Sequence, residues 1–280
     1  MLLSPDKVLV TDDDAGRSTV YDGALHAVRA GPTLTKIPNY SFPVSVAVGD
    51  DLYVLNGGHG HDNYFEALVR EEERGGQSED WRCQPLPTPP YLTHDIDAYA
   101  VAGGGTEVWV SAKDEGTFSF DTARGDWTKQ GDWPLPFRGL AAYVPEYKLW
   151  FALSSRNDVN HLCAYDLAGA ARRPEAPPAP RNLWEVPRLH KEWGLPLQCF
   201  LVHLGSARFC IVRFFWDRSH PRTFCDCDLH VPPKNLAVLT AVEVEPCGKA
   251  GRGLRMVTHK SECYSFPEET LLWFVLEKIV

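Results

Sequence analysis

The sequence predicts an all-β fold, a kelch-like β-propeller of four-stranded blades. Three observations carry that expectation. Residues 97–139 hold four short strands with turn residues between them, the content of one blade in about forty residues. The same order of glycine turn, aromatic strand, aspartate turn and tryptophan strand returns along the chain at intervals of about forty to sixty residues. The composition agrees: Val, Trp, Tyr and Phe are frequent and Met is rare, Gly and Pro punctuate the whole chain, and no long amphipathic helical stripe is present. A β-sandwich would also alternate, but it needs no repeated order of this kind.

The blade at 97–139 shows the template. Ala98-Tyr99-Ala100-Val101 is a first strand closed by Gly103-Gly104-Gly105. Glu107 to Ser111 alternates polar and apolar as a half-buried strand should. Gly116 to Asp121 is a third strand ending in an aspartate turn, and Gly125-Asp126-Trp127-Thr128 starts a fourth that Pro134 and Pro136 end.

Slid along the chain, the template gives a first blade from Lys7–Val10, Ser18–Gly23 and Leu25–Val28, which lacks an innermost strand. The second is Val44–Val48, Leu52–Gly58, Tyr64–Leu68 and, after a charged loop at 70–80, Trp81–Cys83. The fourth is Leu140–Val144, Lys148–Leu153 and His161–Asp166, then a Pro/Ala-rich surface loop, Arg172–Arg181, before Leu183–Val186. The fifth is Cys199–Leu204, Arg208–Phe215, Ala237–Val244 and Leu254–Val257. Leu271–Leu276 is an apolar C-terminal strand expected to dock beside the incomplete first blade, closing the ring and removing two edges. The expectation is a single domain over 1–280 with five blades, six being the alternative.

Whole phrases support a family resemblance. Asp50–Val54, Gly116–Asp121 with Trp127, Gly131–Gly139, Tyr143–Glu146 with Leu149–Phe151, and His203–Gly205 with Arg208–Ile211 resemble an uncharacterised group of plant kelch-like, F-box-associated β-propeller proteins. The resemblance runs from about residue 7 to 276 and implies a kelch-type propeller with no established activity. Strands that the group places before the counterpart of Lys7 are not found here, and no F-box-like helical segment is visible, so an adaptor role is not implied.

The net charge of −9 is spread along the chain with no basic block, which argues against nucleic-acid binding. Met1-Leu2-Leu3 leads straight into Ser4-Pro5-Asp6-Lys7 without an apolar signal region, and no run reaches membrane-spanning length. Several of the eight cysteines, Cys199 and Cys210 among them, sit within apolar strand patterns and read as free thiols. An intracellular protein, cytoplasmic or nuclear, is expected.

Motifs that could carry chemistry are weak. His59-Gly60-His61-Asp62 supplies at most three ligands, and His220, Cys225, Cys227 and His230 lack a zinc-knuckle spacing. Asp12-Asp13-Asp14 lacks the alternating ligand pattern of a calcium loop. Ser111–Phe118 is similar to the Asp-box turn of sialidase-type propellers, a structural hairpin. Neither metal nor cofactor is expected, and no nucleophile elbow or phosphate cradle appears. The leading expectation is a non-enzymatic interaction scaffold that binds a protein partner through rim loops carrying His59, His61, Glu71, Glu72, Glu73 and Arg74. The alternative is an enzyme or small-ligand binder using the central channel, with His94, Asp95, Asp97 and Arg138.

Overall fold

A computed structural model describes residues 2–4, 7–11, 17–35, 44–56, 64–72, 79–91, 96–154, 161–172, 175–187, 196–216, 234–248 and 253–267. These residues form five successive antiparallel four-strand meanders. The first is β1 (Leu2–Ser4), β2 (Lys7–Thr11), β3 (Ser18–Asp22) and β4 (Ala27–Ala30); the second is β5 (Val44–Val48), β6 (Asp51–Asn56), β7 (Tyr64–Glu72) and β8 (Glu79–Pro85). The third is β9 (Ile96–Ala102), β10 (Glu107–Ala112), β11 (Gly116–Asp121) and β12 (Asp126–Gly131). The fourth comprises β13 (Phe137–Val144), β14 (Leu149–Ser154), β15 (Leu162–Tyr165) and β16 (Pro180–Trp184), with one helical turn, α1 (Leu167–Ala170), before its last strand. The fifth is β17 (Gln198–Gly205), β18 (Arg208–Trp216), β19 (Lys234–Cys247) and β20 (Gly253–Pro267).

The chain divides into two compact units, Met1–Leu135 with Leu167–Pro178, and Pro136–Asp166 with Ala179–Val280. In the first unit the innermost strands lie side by side, β1 against β5 and β5 against β9; in the second, β13 lies against β17. Consecutive meanders joined through their innermost strands are the arrangement of propeller blades, and the fold is of that all-β class.

Alternation explains the packing. Ser18, Val20 and Asp22 of β3 are buried while Thr19 and Tyr21 are exposed. Leu9, Val20 and Leu34 of the first blade pack on Leu52, Val54 and Leu68 of the second. Between the second and third blades the filling is aromatic. Phe65 meets Phe120 edge-on at 4.7 Å, and Trp127 lies 5.2 Å from both, each pair adding about 0.5–1.5 kcal/mol beyond its buried area. In the second unit Phe151, Phe209, Ile211 and Val242 centre the core between the fourth and fifth blades.

The aspartate turns are built by side chain–backbone hydrogen bonds. Asp22 Oδ1 accepts the amides of Ala24 and Leu25, both at 3.1 Å, and Asp121 Oδ1 accepts those of Ala123 and Arg124 at 2.9 and 3.0 Å. The segment after β12 is bolted under its blade. Thr117 Oγ1 donates to the Trp133 carbonyl at 2.7 Å, and the Leu135 amide donates to Ser111 Oγ at 3.0 Å. Gly116 is required at φ +104°, since a Cβ there would lie 2.3 Å from the Gly131 carbonyl oxygen.

Three sequence expectations are corrected. The first blade does have an innermost strand: β1 pairs with β2, Leu2 opposite Val8. Its outer strand starts at Ala27 and not Leu25, because the Asp22 turn and the positive φ of His26 (51°) occupy residues 22–26. The expected surface loop at 172–181 is preceded by α1, and its end belongs to β16, where Tyr165 pairs with Pro180. The closing strand 271–276 lies outside the described residues.

Candidate docking surface

The first blade is apolar on both faces, and the described residues of its unit cover only one. Strand register sets two rows on the open face: Val8, Tyr21 and Val28, then Val10, Thr19 and Ala30. Here Val10 is 58%, Tyr21 41% and Val28 70% exposed, and Leu25 in the adjoining turn is 75% exposed. Exposed valines are ordinary singly; three large side chains on neighbouring strands make a contiguous patch. Among the described residues, the order of this sheet ends at β4.

At the end of this sheet a groove of about 710 Å³ opens beside Val10, Arg17, Thr19, Val28, Arg29 and Ala30. Arg17 and Arg29 are the ionisable residues among its described lining. The connector to the second blade forms one wall. The Gly31 amide donates to the Ser18 carbonyl at 2.8 Å, and Ser18 Oγ donates to the Pro32 carbonyl. A Cβ on Gly31 would meet Ser18 Oγ at 2.3 Å, so the connector can lie this close only with glycine.

Farther along the connector, Thr35 is held by a buried side chain of the second blade. Glu66, 0% exposed, accepts the Thr35 amide at 3.1 Å, the Thr35 hydroxyl at 2.6 Å and the Cys83 thiol at 2.8 Å, all on Oε2. Its Oε1 is buried without a hydrogen-bond partner among the described residues. Burial first, and the Glu66 carboxyl second, push the Cys83 thiol up to about 12, so this cysteine is inert as a nucleophile.

Of the residues singled out in the sequence as binding or channel candidates, Glu71, Glu72, Asp97 and Arg138 are among the described ones. His59, His61, Glu73 and Arg74 lie outside the described residues, as do His94 and Asp95, the Asp12–Asp14 turn and the His220–His230 group. Glu71 and Glu72 fall at the end of β7, opposite Asp80 and Glu79. Asp97 is exposed on β9 and Arg138 exposed on β13, in different units. Among the described residues, no three His, Cys, Asp or Glu side chains converge as a metal cluster would. None of their helices is long and apolar enough to cross a membrane. The open face was missed because alternation cannot tell a covered face from a bare one. The signal was the continuous apolar run Val8-Leu9-Val10, which asks for cover on both sides.

A family model described as "Protein of unknown function (DUF1668)" matches residues 1–264. No curated protein matches the sequence. Among solved structures, hydrazine synthase of Kuenenia stuttgartiensis is similar at 12% identity and a TM-score of 0.46, over 91% of this chain and 64% of that one. A structural genomics protein of unknown function from Bacteroides thetaiotaomicron is similar at 12% identity and a TM-score of 0.43, over 76% of this chain and 51% of that one. A chain of a nidogen/laminin complex is similar at 11% identity and a TM-score of 0.40, over 65% and 60%. The chain spans less than two thirds of the length of each.

Proposed function

We infer, for a chain that belongs to the DUF1668 family, a non-enzymatic role as an interaction module that docks an extended segment of a protein partner on the first blade. The observation that carries this reading is the bare apolar face of Val10, Tyr21 and Val28 beside a groove lined by Arg17 and Arg29. An extended peptide suits it. Its backbone can add to the outer edge of β4, where the order of described strands ends, alternate apolar side chains can cover the valines, and an acidic residue can meet the arginines. The rim loops with His59, His61 and Glu71–Arg74 would widen the contact, as kelch-like recognition modules do with loops. The described cysteines are all free, which supports an intracellular setting.

Selection of a displayed random-peptide library on the full chain tests this reading. We expect recovered peptides to share an apolar–acidic extended pattern and to lose binding at least tenfold to a Val10→Glu/Val28→Glu variant with an unchanged circular dichroism spectrum. Peptides without a shared pattern, or binding indifferent to the double substitution, would remove the first blade as the docking site.

A further inference from the structure

Arg213, on β18 of the fifth blade, is a buried cation without a buried anion. It is 7% exposed. Nη1 donates to the Pro187 carbonyl at 2.9 Å and Nη2 to the Thr240 hydroxyl at 3.2 Å, while Nε is buried with no partner among the described residues. No carboxylate among the described residues pairs with it. Burial pushes the guanidinium down from its usual value, and only the Cys199 thiol on the neighbouring strand pulls the other way. A guanidinium stays charged in proteins, and a charge taken from water without a counter-charge is among the costlier features a fold can hold.

The surroundings are those of an oxyanion receptor. Thr240 Oγ1 also lies 3.0 Å from Ser261 Oγ. A polar track therefore runs across the sheet from Cys199 through Arg213 and Thr240 to Ser261, and its two ends are half-exposed. The one Arg213 nitrogen without an acceptor among the described residues, Nε, lies beside Nη2 in the guanidinium plane, the side on which a carboxylate can be held by parallel hydrogen bonds.

We propose that Arg213 is the centre of a carboxylate-binding site on the fifth blade, with Thr240 and Ser261 as its hydroxyl flank. This site is independent of the first-blade docking surface and stands or falls separately. The ligand is a carboxylate small or slender enough to reach a guanidinium recessed between strands.

The probe is sodium formate, titrated into the full chain against sodium chloride at equal ionic strength. Two readouts are followed, the melting temperature and the Arg Nε–Hε signals in a nitrogen-15 NMR spectrum. The expected result is a saturable rise in melting temperature of about 2–4 °C with formate over chloride. The signal that vanishes in Arg213→Lys should move with formate alone. Thr240→Val, which keeps the cation and the strand, should weaken the response at least fivefold and serves if Arg213→Lys fails to fold. An Arg213 signal unmoved by formate, an equal response to chloride, or an undiminished formate response in Thr240→Val would each overturn the proposal.

Discussion

Glu66 and Cys83 show how one residue pair can fasten a blade-to-blade connector. The Glu66 carboxyl sits where alternation would allow either face, and the fold turns it inward to take three donors from Thr35 and Cys83. Burial first, and the Glu66 carboxyl second, keep the thiol protonated well above its ordinary value of 9.0, up to about 12. The sign of the linkage follows. The folded thiol holds its proton where the unfolded one has lost it, so its contribution to stability is complete below about pH 9 and fades as pH rises towards about 12. Tyr53 and Tyr91, whose hydroxyls burial also pushes up, act in the same direction. Urea midpoints measured from about pH 8 to about pH 11 should therefore fall. In Cys83→Ser, which retains a donor for Glu66 but does not titrate there, the fall should be shallower. Parallel declines for the two proteins would mean that the thiol is not held by the fold in this way.

At the scale of elements, the outer strand β12 is fixed by one side chain. Trp127 touches Phe65 and Phe120, lies edge-on to Tyr91 at 5.9 Å, and donates its indole N–H to the Pro87 carbonyl at 3.0 Å. Trp127→Ala should cost about 2–3 kcal/mol in urea unfolding, since the residue is only half-buried, and Trp127→Phe about 1 kcal/mol for the lost hydrogen bond. A loss below about 0.5 kcal/mol for the alanine variant would show that the strand is held by its ladder instead. Trp127 was legible in the sequence, as were Trp81 and Trp184 in the equivalent strands β8 and β16, because large aromatics in a fixed order mark repeated packing sites. The aspartate turns were legible for a similar reason: their chemistry is local to four residues. Strand β1 was not, since Leu2–Ser4 is too short to display a period of two. Nor were Glu66 and Arg213, whose partners come from connectors and from the adjacent strand, Thr35 with Cys83 and Pro187 with Thr240, contacts that no spacing along one strand encodes.

For the whole molecule, the balance lies between acidic charge and bare apolar surface. Every meander is built from hairpins between consecutive strands, so each blade can form locally, and what remains is to cover its faces. The first blade keeps Val10, Tyr21 and Val28 open, and a patch of that kind draws copies together unless something opposes it. At neutral pH the opposing force is the net charge of −9, which repels copies over distances of about 10 Å at moderate salt. That repulsion vanishes as pH falls to the isoelectric point near 5.6. Sedimentation velocity should accordingly show a monomer at about pH 7.5 and reversible association near the isoelectric point, with added salt at neutral pH producing part of the same effect. Val10→Glu/Val28→Glu, compared at its own slightly lower isoelectric point, should associate less than the parent because the attraction itself has been removed. Equal association of the two proteins at matched net charge would place the sticky surface elsewhere on the molecule and separate self-association from the first blade.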